Sequence, residues 1–400
     1  MTQVSRILFI TSSYPEWIGG GALNYARGIL EALSTRFSVD VLVADPNRSY
    51  RDWKLPDNLA YRHVHPDYFK LGRSTVAFPA LIKKIASKFG LKTSPLPEPP
   101  PPYELTTAMK QTIKRWAAVE DYAIVIVNYF WMTPALDFFP NSLKVTLTHD
   151  VWHKHISVGD PRYPLLERLD AKTEASYLNK SDTLIAISEH DATIFRQFTT
   201  VKDPIISLPS FPSKKFDKKD SSLGSLVFAS GYQPNIDGLN WLLNTVWPLV
   251  LQRAKSAQLS IGGQICKNLD SEQLPTGTQL IGGCLDPAEF YQHTQIAIVP
   301  ILKGTGVKTK IIEALQFGIP VVTTPQGLLG IEFLTAYGVI IESCPDRFSQ
   351  AITSLLENHG ETKRLGKLNR TAFEKYFTTE SANETLVKRF EKYLLSNNDQ

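Results

Sequence analysis

The chain predicts an α/β protein of two Rossmann-like, doubly wound parallel-sheet domains facing across a cleft, and three observations predict it. Short Val/Ile-rich runs alternate with amphipathic segments in both halves of the 400 residues, the pattern of repeated βαβ units. A polar tract at 209–224, PSFPSKKFDKKDSSLG, is poor in apolar residues apart from two phenylalanines and separates the halves. In each half a strand runs into a turn carrying glycine and then a helix, the arrangement that opens ligand sites in such folds.

In the first half the predicted strands are 6–11, 39–43, 60–64, 123–127, 144–148, 183–188 and 205–208; in the second they are 225–229, 258–261, 279–281, 296–300, 320–323 and 339–341. The domains expected are residues 1–208, a linker at 209–224, a second domain at 225–378, and a C-terminal helix at 379–400 with Ala382, Leu386, Phe390 and Leu394 on one face. Ser94 to Pro102, SPLPEPPPP, excludes helix and inner strand, because proline lacks the donor and fixes φ. Ahead of it, Leu81, Ile85 and Phe89 alternate with Lys83, Lys84, Lys88 and Lys92. This segment, Val76 to Lys92, reads as a cationic amphipathic helix for peripheral membrane contact or as a surface helix with a solvated lysine face.

The charge excess is only +4 and is not gathered in one tract, which argues against nucleic acid as a partner. The N-terminus lacks the basic, apolar and small-residue order of a signal peptide, and no apolar run approaches the ~20 residues that span a bilayer. The expectation is a cytoplasmic protein, with association at the inner face of the membrane as an extension. Cys266, Cys284 and Cys344 are odd in number and lack metal-ligand spacing, so all three read as small buried hydrophobes of a reducing compartment.

Residues 300–332, PILKGTGVKTKIIEALQFGIPVVTTPQGLLGIE, carry the most chemistry. A strand enters a Gly-rich turn, and two lysines stand at the start of a helix with Glu313 one turn further. Exposed backbone N–H groups and the positive helix end hold a phosphate, while Lys308 or Lys310 supplies the charge and Glu313 accepts hydrogen bonds from a ribose-like diol. Gly19, Gly20 and Gly21 precede a helix with the apolar face Ala22, Tyr25, Ala26, Ile29, Leu30 and Leu33; they approach a phosphate or form a flexible loop. In Phe228 to Leu243, FASGYQPNIDGLNWLL, Gly231 ends a strand and permits backbone approach, and Asn235 is a candidate N-cap, with or without ligand contact.

THDVWHKH places His149 and Asp150 at a strand end, where His149 meets a sugar hydroxyl or transition-state charge. Three histidines here match no common zinc spacing, so no metal is expected, and His153 and His155 read as ordinary loop residues.

Taken together, these motifs and the run Ile185 to Phe195, IAISEHDATIF, resemble the group 1 family of retaining glycosyltransferases with the GT-B architecture. The most specific part is GTGVKTKIIEALQFGIPVVTTPQGLLG at 304–330. The resemblance implies transfer of a sugar from a nucleoside diphosphate sugar to an acceptor hydroxyl with retention, without metal or other cofactor, onto a glycan or lipid-linked acceptor. It places the diphosphate on Lys310 and the ribose on Glu313. Gly304, Thr305, Gly306, Val307, Lys308, Gly231 and Asn235 line the donor site. Gly19 to Gly21 stand at the phosphates or acceptor, and His149 stands at the donor sugar. It also implies that the C-terminal helix crosses back onto the first domain.

Two departures stand out. Many members carry two glutamates with seven residues between them; Glu313 matches the second, whereas the first position is Thr305, so the sugar must be held by another group. The Arg and Lys often found after the first strand of the second domain are absent from SGYQPNIDGLN, leaving Lys310, Lys308 or Lys303 to carry that charge. A catalytically silent nucleotide-sugar-binding partner of another transferase is the alternative reading.

Overall fold

A computed structural model describes residues 6–11, 21–43, 105, 107–155, 169–213, 223–283 and 287–398. The strand predicted at 60–64, the cationic segment 76–92 and the proline tract 94–102 lie outside these residues.

The first unit holds β1 (Arg6–Thr11), β2 (Ser38–Val43), β3 (Ile124–Asn128), β4 (Leu143–Leu147), β5 (Thr183–Ala186) and β6 (Ile205–Ile206), with α1 (Gly21–Ser34), α2 (Thr107–Val119), α3 (Trp152–His155), α4 (Ala171–Leu178) and α5 (Glu189–Phe198). The second holds β7 (Ser225–Phe228), β8 (Leu259–Gly262), β9 (Thr278–Gly282), β10 (Ile296–Val299), β11 (Val321–Thr323) and β12 (Ile340–Ile341). Its helices are α6 (Gln233–Trp241), α7 (Trp247–Arg253), α8 (Ala288–Tyr291), α9 (Thr309–Gln316), α10 (Pro345–Glu357) and α11 (His359–Tyr376), and α12 (Thr379–Asn398) follows.

Among the described residues each unit is built on a six-stranded sheet, and every pair of named strands in both is parallel. Helices cover both faces, so inner strands have no polar face: IVIVN of β3 and IAIV of β10 are buried at every position. The α1 residues Tyr25, Ala26, Ile29, Leu30 and Leu33 are buried at helical spacing against the first sheet.

Strand order positions the site. The second sheet runs β12-β11-β10-β7-β8-β9, which reverses direction between β7 and β10, and the first runs β2-β1-β3-β4-β5-β6, which reverses between β1 and β3. In doubly wound sheets the loops leaving the carboxyl ends of such strand pairs diverge, and the gap takes a ligand.

One apolar cluster joins both units, running from Ile7 and Tyr25 through Phe211, Phe377, Leu386 and Phe390 to Leu226 and Ile311. Phe211 N–H donates to the Phe377 carbonyl at 2.9 Å, so the strand leaving the first unit lies beside the end of α11. Helix α12 packs on α1 and β6. Asn383 fixes its register: its Oδ1 accepts from Ser207 Oγ at 2.7 Å, and its Nδ2 donates to Ser210 Oγ at 3.3 Å. Leu386 and Phe390 are fully buried there, each stabilising the contact by about 1.5–3 kcal/mol.

One expectation is corrected. Cys344 is exposed and Cys266 half-buried, so neither is a core residue. Cys344 caps α10 ahead of Pro345, a helix start that sits on the surface.

Candidate functional site

The second-unit wall is made by the two loops at its switch point. The first leaves β7 at Phe228 and enters α6, whose N-cap is Tyr232; the predicted strand end at Gly231 lies beyond the observed one. Asn235 is therefore not the N-cap but a first-turn residue, because Pro234 occupies the start of the helix, where no N–H donor is needed. Its side chain does something else. Asn235 Nδ2 donates to the carbonyl and hydroxyl of Ser230, both at 3.0 Å, which aims Oδ1 at Lys310. Gly238, one turn on, lets α6 lie against the end of β10: a Cβ there would come within 1.7 Å of the Pro300 carbonyl oxygen. Gly231 lies beside Asn268 Oδ1.

The second loop, 300–308, leaves β10 and enters α9. Gln326 Nε2 donates to the Gly304 carbonyl at 2.5 Å, and the Thr324 hydroxyl donates to the Ile301 carbonyl, so the loop is tied to the segment after β11. Lys308 folds back, its ammonium donating to the carbonyls of Thr305 and Gly306 at 2.7 Å each. Lys310 Nζ donates to Asn235 Oδ1 at 2.5 Å. Burial pulls the Lys310 ammonium down to about 7, reinforced by Lys308 and opposed by Glu313. Burial likewise pushes the Glu313 carboxyl up to about 7, opposed by Lys310. Both residues are half-buried, so they stay partly accessible although their charged groups are desolvated.

The first-unit wall comes from the ends of β1, β3 and β4. Asn128 Nδ2 donates to Thr11 Oγ1 at 2.9 Å, which leaves Asn128 Oδ1 to accept from His149 Nε2 at 2.6 Å. That assignment puts the imidazole proton on Nε2 and leaves Nδ1 as an acceptor, buried and without a hydrogen-bond partner among the described residues. Burial lowers the His149 pKa to about 3, so the ring is neutral. It can accept a hydroxyl proton in a hydrogen bond, but a cationic role against transition-state charge is closed to it.

Tyr129 stacks on His149 with ring centroids 4.2 Å apart, and Tyr25 meets the ring edge-on at 5.4 Å. Tyr129 holds this pose with φ of 78°, the single positive φ outside glycine among the described residues, where a bulky side chain is strained.

The two walls meet. A Cβ on Gly21, the first residue of α1, would lie 2.9 Å from Thr309 Oγ1, the first residue of α9, so two helix N-termini converge on one point. Their partial positive ends favour an anion there. Gly306, at φ of +69°, sits against Asp150: a Cβ would fall 2.2 Å from Asp150 Oδ1. Gly330 similarly abuts Ser188, whose hydroxyl caps α5 and donates to Asp191 Oδ2 at 2.6 Å.

Burial pushes the Asp150 carboxyl up to about 7, against the pull of Lys308 and with the push of Asp191. The Thr305 hydroxyl is near enough to pull that pKa down, yet Thr305 Oγ1 and Asp150 Oδ1 are both buried and neither meets hydrogen-bond geometry with any described residue. Burial lowers Lys308 below the ordinary lysine value, while Asp150 and Asp191 draw it back up.

Of the candidate residues, Gly21 and Gly306 lie where the two walls touch, Asn235, Gly304, Thr305, Lys308 and Lys310 carry the hydrogen bonds of the second wall, His149 belongs to the first wall, Gly231 lies beside Asn268, and Val307 is a buried core residue; Gly19 and Gly20 lie outside the described residues. His153 differs from its expected loop role. It sits on α3, and its Nδ1 is 2.7 Å from Glu174 Oε2, which clamps α3 to α4. Among the described residues no group of three or more His, Cys, Asp or Glu could hold a metal ion. No described helix is long and apolar enough to cross a membrane. Asn128, Tyr129 and Gly238 were not legible from motifs: their roles arise from pairing with β1, β4 and β10, which are distant in sequence.

Residues 224–358 match the family model described as Glycosyl transferases group 1. A curated relative, an uncharacterized 44.6 kDa protein in the cps region of Klebsiella pneumoniae, is 29% identical over 230 residues, which make up 52% of this chain and 58% of that protein. The matched stretch thus spans less than two thirds of that relative. Among solved structures, sucrose-phosphate synthase of Thermosynechococcus elongatus superposes with a TM-score of 0.71 at 17% identity, over 98% of this chain and all of that one. A TarM variant of S. aureus, solved with fondaparinux, α-GlcNAc-glycerol and UDP, superposes at 0.67 and 14% identity, over 96% of this chain and 99% of that one. At these identities the likeness is one of fold: two Rossmann-like units in the GT-B arrangement.

Proposed function

We propose, from the match of residues 224–358 to the group 1 glycosyl transferase model, that the protein moves a sugar from a nucleoside diphosphate sugar to an acceptor hydroxyl, with retention at the anomeric carbon. The observation that carries this reading is the junction of Lys310, Asn235 and Glu313 at the second switch point, beneath the converging N-termini of α1 and α9. The diphosphate lies on the two helix ends with Lys310 as its counter-charge, and Glu313 takes the ribose diol.

As the bond from C1 to the leaving oxygen breaks, C1 becomes oxocarbenium-like and negative charge grows on the diphosphate. In this reading Lys310 and the backbone N–H groups of α9 take up that charge, without a metal. The acceptor hydroxyl attacks from the face the diphosphate leaves, and the departing phosphate takes its proton. Neutral His149 accepts a hydrogen bond from a donor-sugar hydroxyl through Nδ1.

The acceptor is a glycan or lipid-linked saccharide, and the protein works in polysaccharide or glycolipid synthesis at the cytoplasmic side of a membrane. The relative from a cps region supports the polysaccharide reading. UDP and a saccharide in the TarM structure support the substrate classes. Thr305 favours one rival, a silent nucleotide-sugar-binding partner of another transferase, because a carboxylate expected at the sugar is missing from that position.

Thermal-shift screening with UDP, GDP and ADP and their glucose conjugates tests the binding half of the proposal. One base should raise Tm well above the others, since a ligand of the native state stabilises it by mass action. Equal, negligible shifts for all would leave the cleft without its nucleotide.

A further inference from the structure

Asp150 follows His149 in sequence, yet its position is the less easily explained of the two. Its carboxyl lies on the first-unit side of the junction, pressed against the backbone of Gly306 on the other side. Any side chain at 306 would collide with it, so glycine is what admits the carboxyl to the donor loop.

Asp150 Oδ1 and Thr305 Oγ1 are both buried there, each without a hydrogen-bond partner among the described residues. Leaving a buried oxygen unpaired costs about 1–3 kcal/mol; the Thr305 hydroxyl stands close enough to draw the carboxyl's pKa down, and Asp150 Oδ1 keeps acceptor capacity for a further hydroxyl. The nearest cation, Lys308, is directed to the carbonyls of Thr305 and Gly306. It lowers the carboxyl's field without capping it.

We propose that Asp150 supplies from the first unit the carboxylate that Thr305 does not supply from the second: it binds hydroxyls of the donor sugar and faces the positive charge that develops at C1. This rests on the transferase reading. It follows from the chemistry of the surroundings. Lys310 and the ends of α1 and α9 define where the diphosphate lies, and loop 304–307 borders the space next to it, where the sugar must extend. Asp150 is the carboxylate lying against that loop. A glutamate at 305 would put a second carboxyl beside it, and two such groups in a desolvated site oppose each other's ionisation. With threonine at 305, Asp150 is free of that repulsion.

The experiment compares the wild type with D150N, which keeps the shape and removes the charge, and with D150N/T305E, which returns a carboxylate from the opposite wall. The probes are UDP, GDP and ADP and their glucose conjugates, with affinity read by calorimetry and donor turnover by release of the nucleoside diphosphate. Expected for D150N are nucleoside diphosphate affinity within about twofold of wild type and kcat/KM for the sugar conjugate down about 100-fold, on the scale of a lost transition-state contact. The double variant should regain at least about tenfold.

Unchanged kcat/KM in D150N, with an active wild type, overturns this proposal alone. So does an equal loss of affinity for the diphosphate and its conjugate, which would make Asp150 a support for Lys308. A wild type that neither binds nor turns over any of the six compounds overturns the transferase reading and this proposal with it.

Discussion

The ammonium of Lys310, on the first turn of α9, donates to the amide oxygen of Asn235, on the first turn of α6, at 2.5 Å. One hydrogen bond thereby ties the two loops that leave β7 and β10, the strands between which the second sheet reverses its order. A neutral amide thus stands at this switch point where the group 1 family often has basic residues, and Lys310 is the cation it holds.

Lys310→Ala should reduce turnover about 10²–10³-fold, the range seen when one preorganised charge-stabilising donor is removed. The fold should survive, since the lysine is desolvated and its removal leaves no apolar cavity. Steady-state kinetics with circular dichroism separates these effects; near-normal sugar transfer by this variant removes Lys310 from the leaving-group role.

Asn235→Ala leaves the Lys310 ammonium and the Ser230 carbonyl and hydroxyl without their partner. Donor KM should rise about tenfold, with a smaller fall in kcat, because the lost hydrogen bond is worth about 1–3 kcal/mol and acts on binding. A fall in kcat alone would show that Asn235 acts only in the transition state.

Gly238→Ala puts a methyl group 1.7 Å from the Pro300 carbonyl oxygen, so α6 or the end of β10 must shift. A loss of about 1–3 kcal/mol in stability is expected, read as a lower Tm, together with weaker nucleotide binding. Wild-type Tm would mean that α6 does not pack this closely.

The pH dependence follows from two opposed shifts. The Glu313 carboxyl is raised to about 7, so the fold binds that proton more tightly than the unfolded chain and loses stability as pH rises from the ordinary carboxyl range to 7. Lys310 is lowered to about 7, so the fold loses stability as pH falls from the ordinary lysine range to 7. Both penalties are present near neutrality. A bound diphosphate relieves the second by favouring the ammonium, and binding takes up a proton. The Tm shift given by UDP, or by whichever nucleotide binds, should therefore shrink between pH 7 and 9. Lys310→Met should make it small and flat; a wild-type shift that grows with pH would oppose the assignment.

Fold and site were legible to different depths. Parallel strands buried on both faces read as continuous apolar runs, which is why β3 and β10 were evident to within a residue or so. The turn and helix start from Gly304 to Glu313 were legible because strand, glycine turn and helix follow one another in sequence. Asn235 stands out in the sequence as a cap, which is not the role it fills. The residues around Pro234 say that a helix begins, while the choice between capping and holding Lys310 depends on a residue 75 positions away. Asn128 and Tyr129 carry no motif at all. Their importance lies in the tautomer and the stacking they impose on His149, which only the pairing of β3 with β4 creates.

The central claim is sugar transfer, and the most direct measurement is nucleoside diphosphate release from UDP-, GDP- and ADP-glucose in the presence of EDTA, with the anomer of the sugar product read by proton NMR. Release from one of the three is expected, with the product in the donor's anomeric configuration. Intact nucleotide binding with no release from any donor, with or without a saccharide acceptor, would contradict it and leave a protein that holds a nucleotide sugar without breaking it.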